Sequence, residues 1–454
     1  MDSTGAPATA RGSRLTRRGV TGRAAGSAVL ALAACGAPDA GGGAQKTTAP
    51  ARISVITRGG GDGTGMEQVI IPAFAKQHEN IKVEHASLGG EPDYWAKVVT
   101  GHLGKDLGDV VWASNGGFSA LASRGVMKEL EPLARSDKYD FKDYVPAGLD
   151  SLRHEGKLFG LPWGGHPGYQ GLLYNEDLLT KAGQKAPDAS WTWDKLTEVA
   201  KAVSRVNGDP NGDVYGFKPY PPDYLGQIGA VRGNGADWLD KEGKKFIVSS
   251  PGGLAALNMY RDFFVRHRVA PPLGGPVPDA DLFAQGRLAL WQQGYGGQFT
   301  PGEAKIAGKF KWGMVLLPKG TTGKVGSQLV VNGMTMWSGS KAPDAAWQFL
   351  RFIMEPDVQL PAILSGASRP GLRKSVLRHP KLASDMKAHT PWVDLMEQAS
   401  AWHQPANYRW AELNTAIGQT LTPAWKGDTS NEQALQQAMP NFDAIMAKAR
   451  EGFV

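Results

Sequence analysis

The chain of 454 residues contains one cysteine, Cys35. An internal disulfide is therefore excluded, and so are zinc sites built on cysteine pairs. No HExxH, GxSxG or GxxxxGK[ST] pattern occurs, so zincin, α/β-hydrolase and P-loop chemistry lack their usual residues. No apolar run approaches the roughly 20 residues that a spanning helix needs. Basic residues interleaved with aromatics, the footprint of a nucleic-acid surface, are also missing. The formal charge of +7 does not restore that reading. Before Cys35 stand five arginines and one acid, Asp2, so the rest holds 45 basic and 42 acidic residues, a balance of +3. No nucleic-acid partner is expected.

The amino-terminal arginines have a different use. Arg11, Arg14, Arg17, Arg18 and Arg23 precede the uncharged stretch Ala24 to Ala34, a charged segment and then an apolar one of about 11 residues, too short to span a bilayer. Residues 1–35 read as an export signal. Thr16-Arg17-Arg18-Gly19-Val20 resembles a twin-arginine signal, with the ordinary secretory route as the other possibility. Leu32-Ala33-Ala34-Cys35 resembles a bacterial lipobox, whose thiol takes a diacylglyceryl group. Residues 36–51, rich in Gly, Ala, Pro and Thr, read as a flexible tether. The expected location is extracytoplasmic, anchored to the membrane through lipidated Cys35.

The remaining 400 or so residues suffice for two cores. Arg52 to Ile56 reads as a strand, Gly59 to Gly65 as a glycine-rich loop and Met66 to Phe74 as a helix. The strand Ile81 to Glu84, the helix Tyr94 to His102 and the strand Asp109 to Ala113 follow. This alternation predicts parallel α/β layers. Further helices are expected around 193–206, 253–267, 343–354, 413–421 and 431–449. Further strands are expected at 158–162, 171–174, 288–291, 312–317 and 334–337. The oxygen-rich Asn207 to Asp213 has an EF-hand-like start, but Lys218 stands where the bidentate glutamate belongs, so it reads as a turn. The GxGxxG spacing is incomplete at Gly61 to Gly65, which favours a loop approaching a neutral ligand. Two carboxylates are all a glycosidase needs, and 43 acids leave that alternative open. Fourteen tryptophans and eleven tyrosines will mostly pack cores, but aromatic planes also stack on sugar rings.

Several segments together resemble the extracellular solute-binding proteins of ABC importers, in the cluster of the maltodextrin-binding proteins. They are Asp109 to Ala113, Gly156 to Trp163, Leu172 to Leu179, Trp191 to Leu196, Asp209 to Phe217, Phe283 to Leu290, Trp312 to Pro318 and Ala342 to Leu350, in the same order over residues 52 to 445. The resemblance implies an α/β, two-lobed periplasmic-binding-protein-like fold with several interlobe crossovers and a ligand cleft. Lobe 1 is expected from 52–163 plus 318–370 and lobe 2 from 164–317 plus 371–454. Crossovers are expected near Pro162 to Tyr169, Met314 to Pro318 and Ser368 to Leu372. The implied function is non-enzymatic and needs no cofactor or metal: a monomer captures a small solute, a mono- or oligosaccharide, and delivers it to the permease subunits. A polyamine, peptide or glycerol phosphate is the alternative solute. Ligand contacts carried over by position are Arg58, Asp62, Ser114, Asn115, Trp163, His166, Tyr169, Tyr220, Tyr295, Arg369 and Trp410. Lys218 replaces the acid that the maltodextrin binders carry before their Pro-Tyr pair, which leaves an acidic or differently decorated sugar open.

Overall fold

The computed structural model describes residues 49–448 except 210, 241–244, 295–305, 307, 366–367, 386–388 and 400–408, with the side chains of 61, 62, 91, 92, 410 and 411 also outside the description. The export signal, Cys35 and nearly all of the tether lie outside it. No helix among the described residues is long and apolar enough to cross a membrane.

Eleven strands run in chain order: β1 Ala51–Thr57, β2 Ile81–Ser87, β3 Val110–Ser114, β4 Arg153–His154, β5 Lys157–Leu158, β6 Gly160–His166, β7 Gly171–Asn175, β8 Tyr215–Lys218, β9 Leu288–Gln293, β10 Trp312–Leu316 and β11 Val330–Met336. The first sheet has the order β2-β1-β3-β11-β6 and the second β10-β7-β9-β8. Strands β1, β2 and β3 pair in parallel, whereas β11 is antiparallel to both β3 and β6. The sheets are therefore mixed where alternation predicted parallel layers. The reason is that β11 reaches the first sheet from the second, by a crossover and not by a right-handed βαβ return.

The composition of the central strands explains their place. Every residue of β3, β6 and β11 is buried, as continuous apolar and small-residue runs covered on both faces must be. In β1 the burial alternates, with Ile53, Val55 and Thr57 inward. Side chains from the first sheet and its helices, among them Trp112, Phe74 and Trp347, form one core. A second core gathers Phe217, Trp238, Tyr260 and Trp425, and a third packs Phe283, Trp291 and Trp392 under the second sheet.

Most expected elements are present, with shifted ends. The helix expected at 253–267 spans Pro251–Phe264, and that expected at 413–421 spans Trp410–Lys426. The glycine-rich segment is a correction. It is not a loop from Gly59 to Gly65: Gly61–Gly65 is helical and runs into a π-helical turn, Met66–Ile70, before Ile71–Gln77. Gly60, at φ +89°, makes the turn, and its carbonyl accepts from the N–H groups of Gly63 and Thr64. Asn207 to Asp213 is a turn, its carboxylates accepting local N–H groups: Asp213 Oδ1 from Asn207 at 2.8 Å and Asp209 Oδ1 from Asn211 at 2.9 Å.

The chain leaves the first sheet at His166 and enters the second at Gly171; it returns between Leu316 and Val330. Both passages press on the helix Tyr224–Gly233, whose glycines face them. A Cβ on Gly326 would lie 2.4 Å from the Gly229 carbonyl oxygen and 2.6 Å from the Gly233 nitrogen. Gln170 and Gln328, one on each passage, are fully buried. Gln328 Oε1 accepts from the Tyr224 hydroxyl at 3.0 Å. Its Nε2 and both amide atoms of Gln170 have no partner among the described residues, and each such atom costs about 1–3 kcal/mol. Close backbone packing therefore holds this junction. Replacing Gly326→Ala should lower unfolding free energy by about 2 kcal/mol, because only backbone can yield; urea melts of the two proteins check this.

Candidate functional site

The carboxyl-terminal ends of β1, β3 and β6 and the start of β11 form one edge of the first sheet. The register places Ser114 beside Asn332, Gly164 beside Asn332 and His166 beside Val330. Ligands of open α/β sheets bind outside such an edge. Arg58 follows β1, with its guanidinium carbon 4.6 Å from the centre of the Trp112 ring, a cation–π contact.

Thr57, next to Arg58 in the chain, belongs to a relay that no pattern in the sequence announces. Glu67 of the π-helical turn meets His85 Nδ1 at 2.8 Å, and His85 Nε2 meets Thr57 Oγ1 at 2.7 Å. The bonding order is that of a hydrolase triad, but Thr57 is completely buried and cannot reach a substrate carbonyl. The relay instead ties β1, β2 and the π-helical turn together. Gly63 completes it, since a Cβ there would be 3.1 Å from Ser87 Oγ.

The expected site residues separate into groups. Ser114 and Asn115 end β3, but the Asn115 amide is committed to the neighbouring chain: Nδ2 donates to Leu329 O at 3.1 Å and Oδ1 accepts from Val331 N at 3.2 Å. Trp163 is 2% exposed and part of the first core. His166 ends β6, and its Nδ1 accepts from the Gly168 N–H at 3.2 Å. Arg369 runs beside β6, where the carbonyl of Pro370 accepts from Gly165 N at 3.0 Å. Asp62 lies in Gly61–Gly65 and Trp410 opens Trp410–Lys426; their side chains, and Tyr295 entirely, lie outside the described residues.

Tyr169 and Tyr220 come from different segments and stack face to face, centroids 3.7 Å apart and planes 15° from parallel. The His166 ring is 6.2 Å from that of Tyr169, which links the pair to the sheet edge. Small residues admit the rings: a Cβ on Gly294 would be 2.9 Å from Tyr169 Cδ1, and one on Gly226 2.7 Å from Tyr220 Cδ1. Burial and the neighbouring Tyr169 hydroxyl raise the Tyr220 phenol far above its ordinary range, so it stays protonated.

One buried amide holds the pair. Gln292 Oε1 accepts from Tyr220 N at 3.1 Å, and its Nε2 donates to Tyr169 O at 2.9 Å and Gly226 O at 2.7 Å. Sequence reasoning missed Gln292, although the signal existed: it shares the face of Leu288 and Leu290 on an apolar strand, and a polar group there must be bonded. Lys218, the last residue of β8, is also buried. Its amine lies 3.4 Å from the Asp279 carboxylate, beside a cavity of about 430 Å³ that Pro221, Thr422 and Lys426 also line. Burial lowers its pKa, and Asp279 opposes that shift. Its charge is thus met within the protein.

Residues 70–390 match the model of the bacterial extracellular solute-binding proteins. The chain belongs to that family. A Brucella abortus protein named as a binding protein is 24% identical over 444 residues, 96% of this chain and all of that one. The lactose-binding protein of Rhizobium radiobacter is 26% identical over 229 residues, 49% of each chain. Among solved structures, the ABC substrate-binding protein Lmo0181 of Listeria monocytogenes, in complex with cycloalternan, superposes with a TM-score of 0.75 at 22% identity, over 88% of this chain and all of that one. The fold of this solute-binding protein is the two-lobed one, with a cleft between lobes and chain crossovers joining them.

Two titrating groups beside the tyrosine pair pull the solute-binding protein's stability in opposite directions. Burial, then Arg369 and Arg58, lowers His166 to about 3. The unfolded imidazole gains its proton near 6.5, so His166 costs stability as pH falls from there towards 3. Asp223 caps the helix Tyr224–Gly233, accepting from Gly226 N at 2.5 Å. Burial raises it to about 6, against the pull of the Gly226 and Leu225 N–H groups. Its unfolded carboxyl ionises near 3.8, so stability is lost as pH rises through 6. The two windows overlap between about pH 4 and 6 and partly cancel. Asp223→Asn keeps a capping oxygen and removes only the second effect. It should be more favourable relative to the parent at pH 7 than at pH 4, by about 1–3 kcal/mol; denaturant melts at the two pH values would show no difference if Asp223 ionises normally.

Proposed function

We propose that this protein is the carbohydrate-capturing subunit of an ABC importer, tethered by lipidated Cys35 outside the cytoplasmic membrane. The observation that carries the sugar reading is the stacked Tyr169–Tyr220 pair beside the donors of the sheet edge. Aromatic faces suit the C–H faces of a pyranose, while guanidinium, imidazole N–H and hydroxyl groups bond its hydroxyls. The lactose and cycloalternan named for the two relatives support the same class. Lobe 1 would comprise 52–163 with 318–370, and lobe 2 would comprise 164–317 with 371–454, the first two of the three divisions falling in or near the passages between sheets. A solute touching Arg58, Ser114, His166 or Arg369 on one side and Tyr220 on the other favours closure by the contacts it makes with both lobes at once. The monomer then presents the closed form to permease subunits, without turnover.

Two measurements test this. In a panel of mono- and oligosaccharides, at least one should shift tryptophan fluorescence and raise the melting temperature, with no product released, and Tyr220→Ala should weaken its binding at least tenfold. A response confined to polyamines or peptides would remove the carbohydrate assignment. For the anchor, Cys35→Ser expressed in the native host should move the protein from the membrane fraction to the soluble extracytoplasmic one; membrane retention of that variant would contradict lipidation at Cys35.

A further inference from the structure

One guanidinium at the sheet edge, that of Arg369, meets no carboxylate among the described residues. Arg351, Arg373 and Arg378 flank Arg369 in the sequence, and each is held by a carboxylate: Asp137 at 2.7 Å, Asp143 at 2.9 Å, and Asp394 and Glu397 at 2.7 Å. Arg369 is half-buried and pairs with no carboxylate among the described residues. Its backbone is fixed against β6, where a Cβ on Gly164 would lie 3.4 Å from the Arg369 Cβ. Two positions further along, His166 is buried and accepts at Nδ1, so its proton sits on Nε2 as a donor. Arg58 approaches from β1 over Trp112. Both guanidiniums lie within electrostatic reach of His166 and help to keep it neutral.

The described groups at this edge are therefore mostly donors, and two are fixed cations. Asp62, on the helix after β1, is an acid of the same region whose side chain lies outside the description. Lys218 is met by Asp279 and adds nothing here. A guanidinium that a closing cleft takes out of water is costly unless something supplies an anion. Its planar fork matches a carboxylate or a phosphate.

We propose that the solute is a carbohydrate carrying an anionic group, carboxylate or phosphate, placed at the end of β6 beside His166 and held by Arg369, with Arg58 from the end of β1. The inference rests on the carbohydrate reading above and narrows it. A neutral sugar would leave the Arg369 charge unmet in the closed cleft, whereas an anionic one completes it. Discrimination comes from the charge and the apolar contact from the tyrosine pair.

The test is calorimetric titration of the full chain with matched sets: glucose, glucuronate and glucose 6-phosphate; galactose, galacturonate and galactose 6-phosphate; and di- to tetrasaccharides of galactose and of galacturonate. The expected result is that one anionic member binds at least tenfold more tightly than its neutral counterpart. That ratio should shrink as sodium chloride is raised from 20 to 500 mM. Preference for the uronate or for the phosphate identifies which anion is read. Arg369→Gln should bring the ratio to within about threefold of one, while Arg369→Lys, which keeps the charge, should retain a preference above that. Circular dichroism confirms that both variants fold. The proposal is overturned if neutral members bind as tightly as their anionic partners, or if Arg369→Gln keeps the ratio. If no sugar of any set binds, the carbohydrate reading itself fails and takes this inference with it.

Discussion

A single buried side-chain amide, that of Gln292, sets the geometry on which the site depends. It bonds one segment between the sheets at Tyr169, the segment after β8 at Tyr220 and the helix Tyr224–Gly233 at Gly226. Two stretches of chain far apart in sequence, at Tyr169 and at Tyr220 to Gly226, are thereby fixed to one strand. In a low-dielectric interior each of these bonds is worth more than at the surface, and losing the amide would strand several partners at once. The stacked rings are consequently placed by the backbone as well as by their own packing.

The same economy is absent at the junction between sheets. Gln170 and Gln328 bury amide atoms without partners, and the glycines of Tyr224–Gly233 let backbone approach backbone. The junction is thus closely packed but poorly satisfied in its polar groups, whereas the tyrosine platform a few residues away is fully braced. A two-lobed binder needs this division: a rigid surface for the solute, and a connection whose rearrangement need not break strong bonds.

Much of the fold was legible because the patterns were strong. Apolar runs such as Val110 to Ala113 and the amphipathic helix Trp193–Val203, capped by Thr192, announced themselves. The π-helical turn did not, since no residue type demands one extra residue per turn. Nor did the sheet directions: alternation of strands and helices says nothing of which sheet β11 joins. Of the expected contacts, His166, Tyr169 and Tyr220 come together in the fold, but that two tyrosines 51 positions apart stack is a long-range fact. Lys218 shows the opposite failure. Its position, where the resembling family carries an acid, left an acidic or differently decorated sugar open, and only the fold brings Asp279 to it.

In the function proposed, the platform and the sheet edge would divide the recognition of one small molecule. The tyrosines offer area with little directional demand; Arg58, His166 and Arg369 offer donors whose partners must be oxygen. The account stands most directly on what the native cleft holds. Protein purified from its own host under mild conditions and then denatured should release a saccharide detectable by mass spectrometry, in amounts approaching one per chain. Release of a peptide or a polyamine in that amount would contradict it.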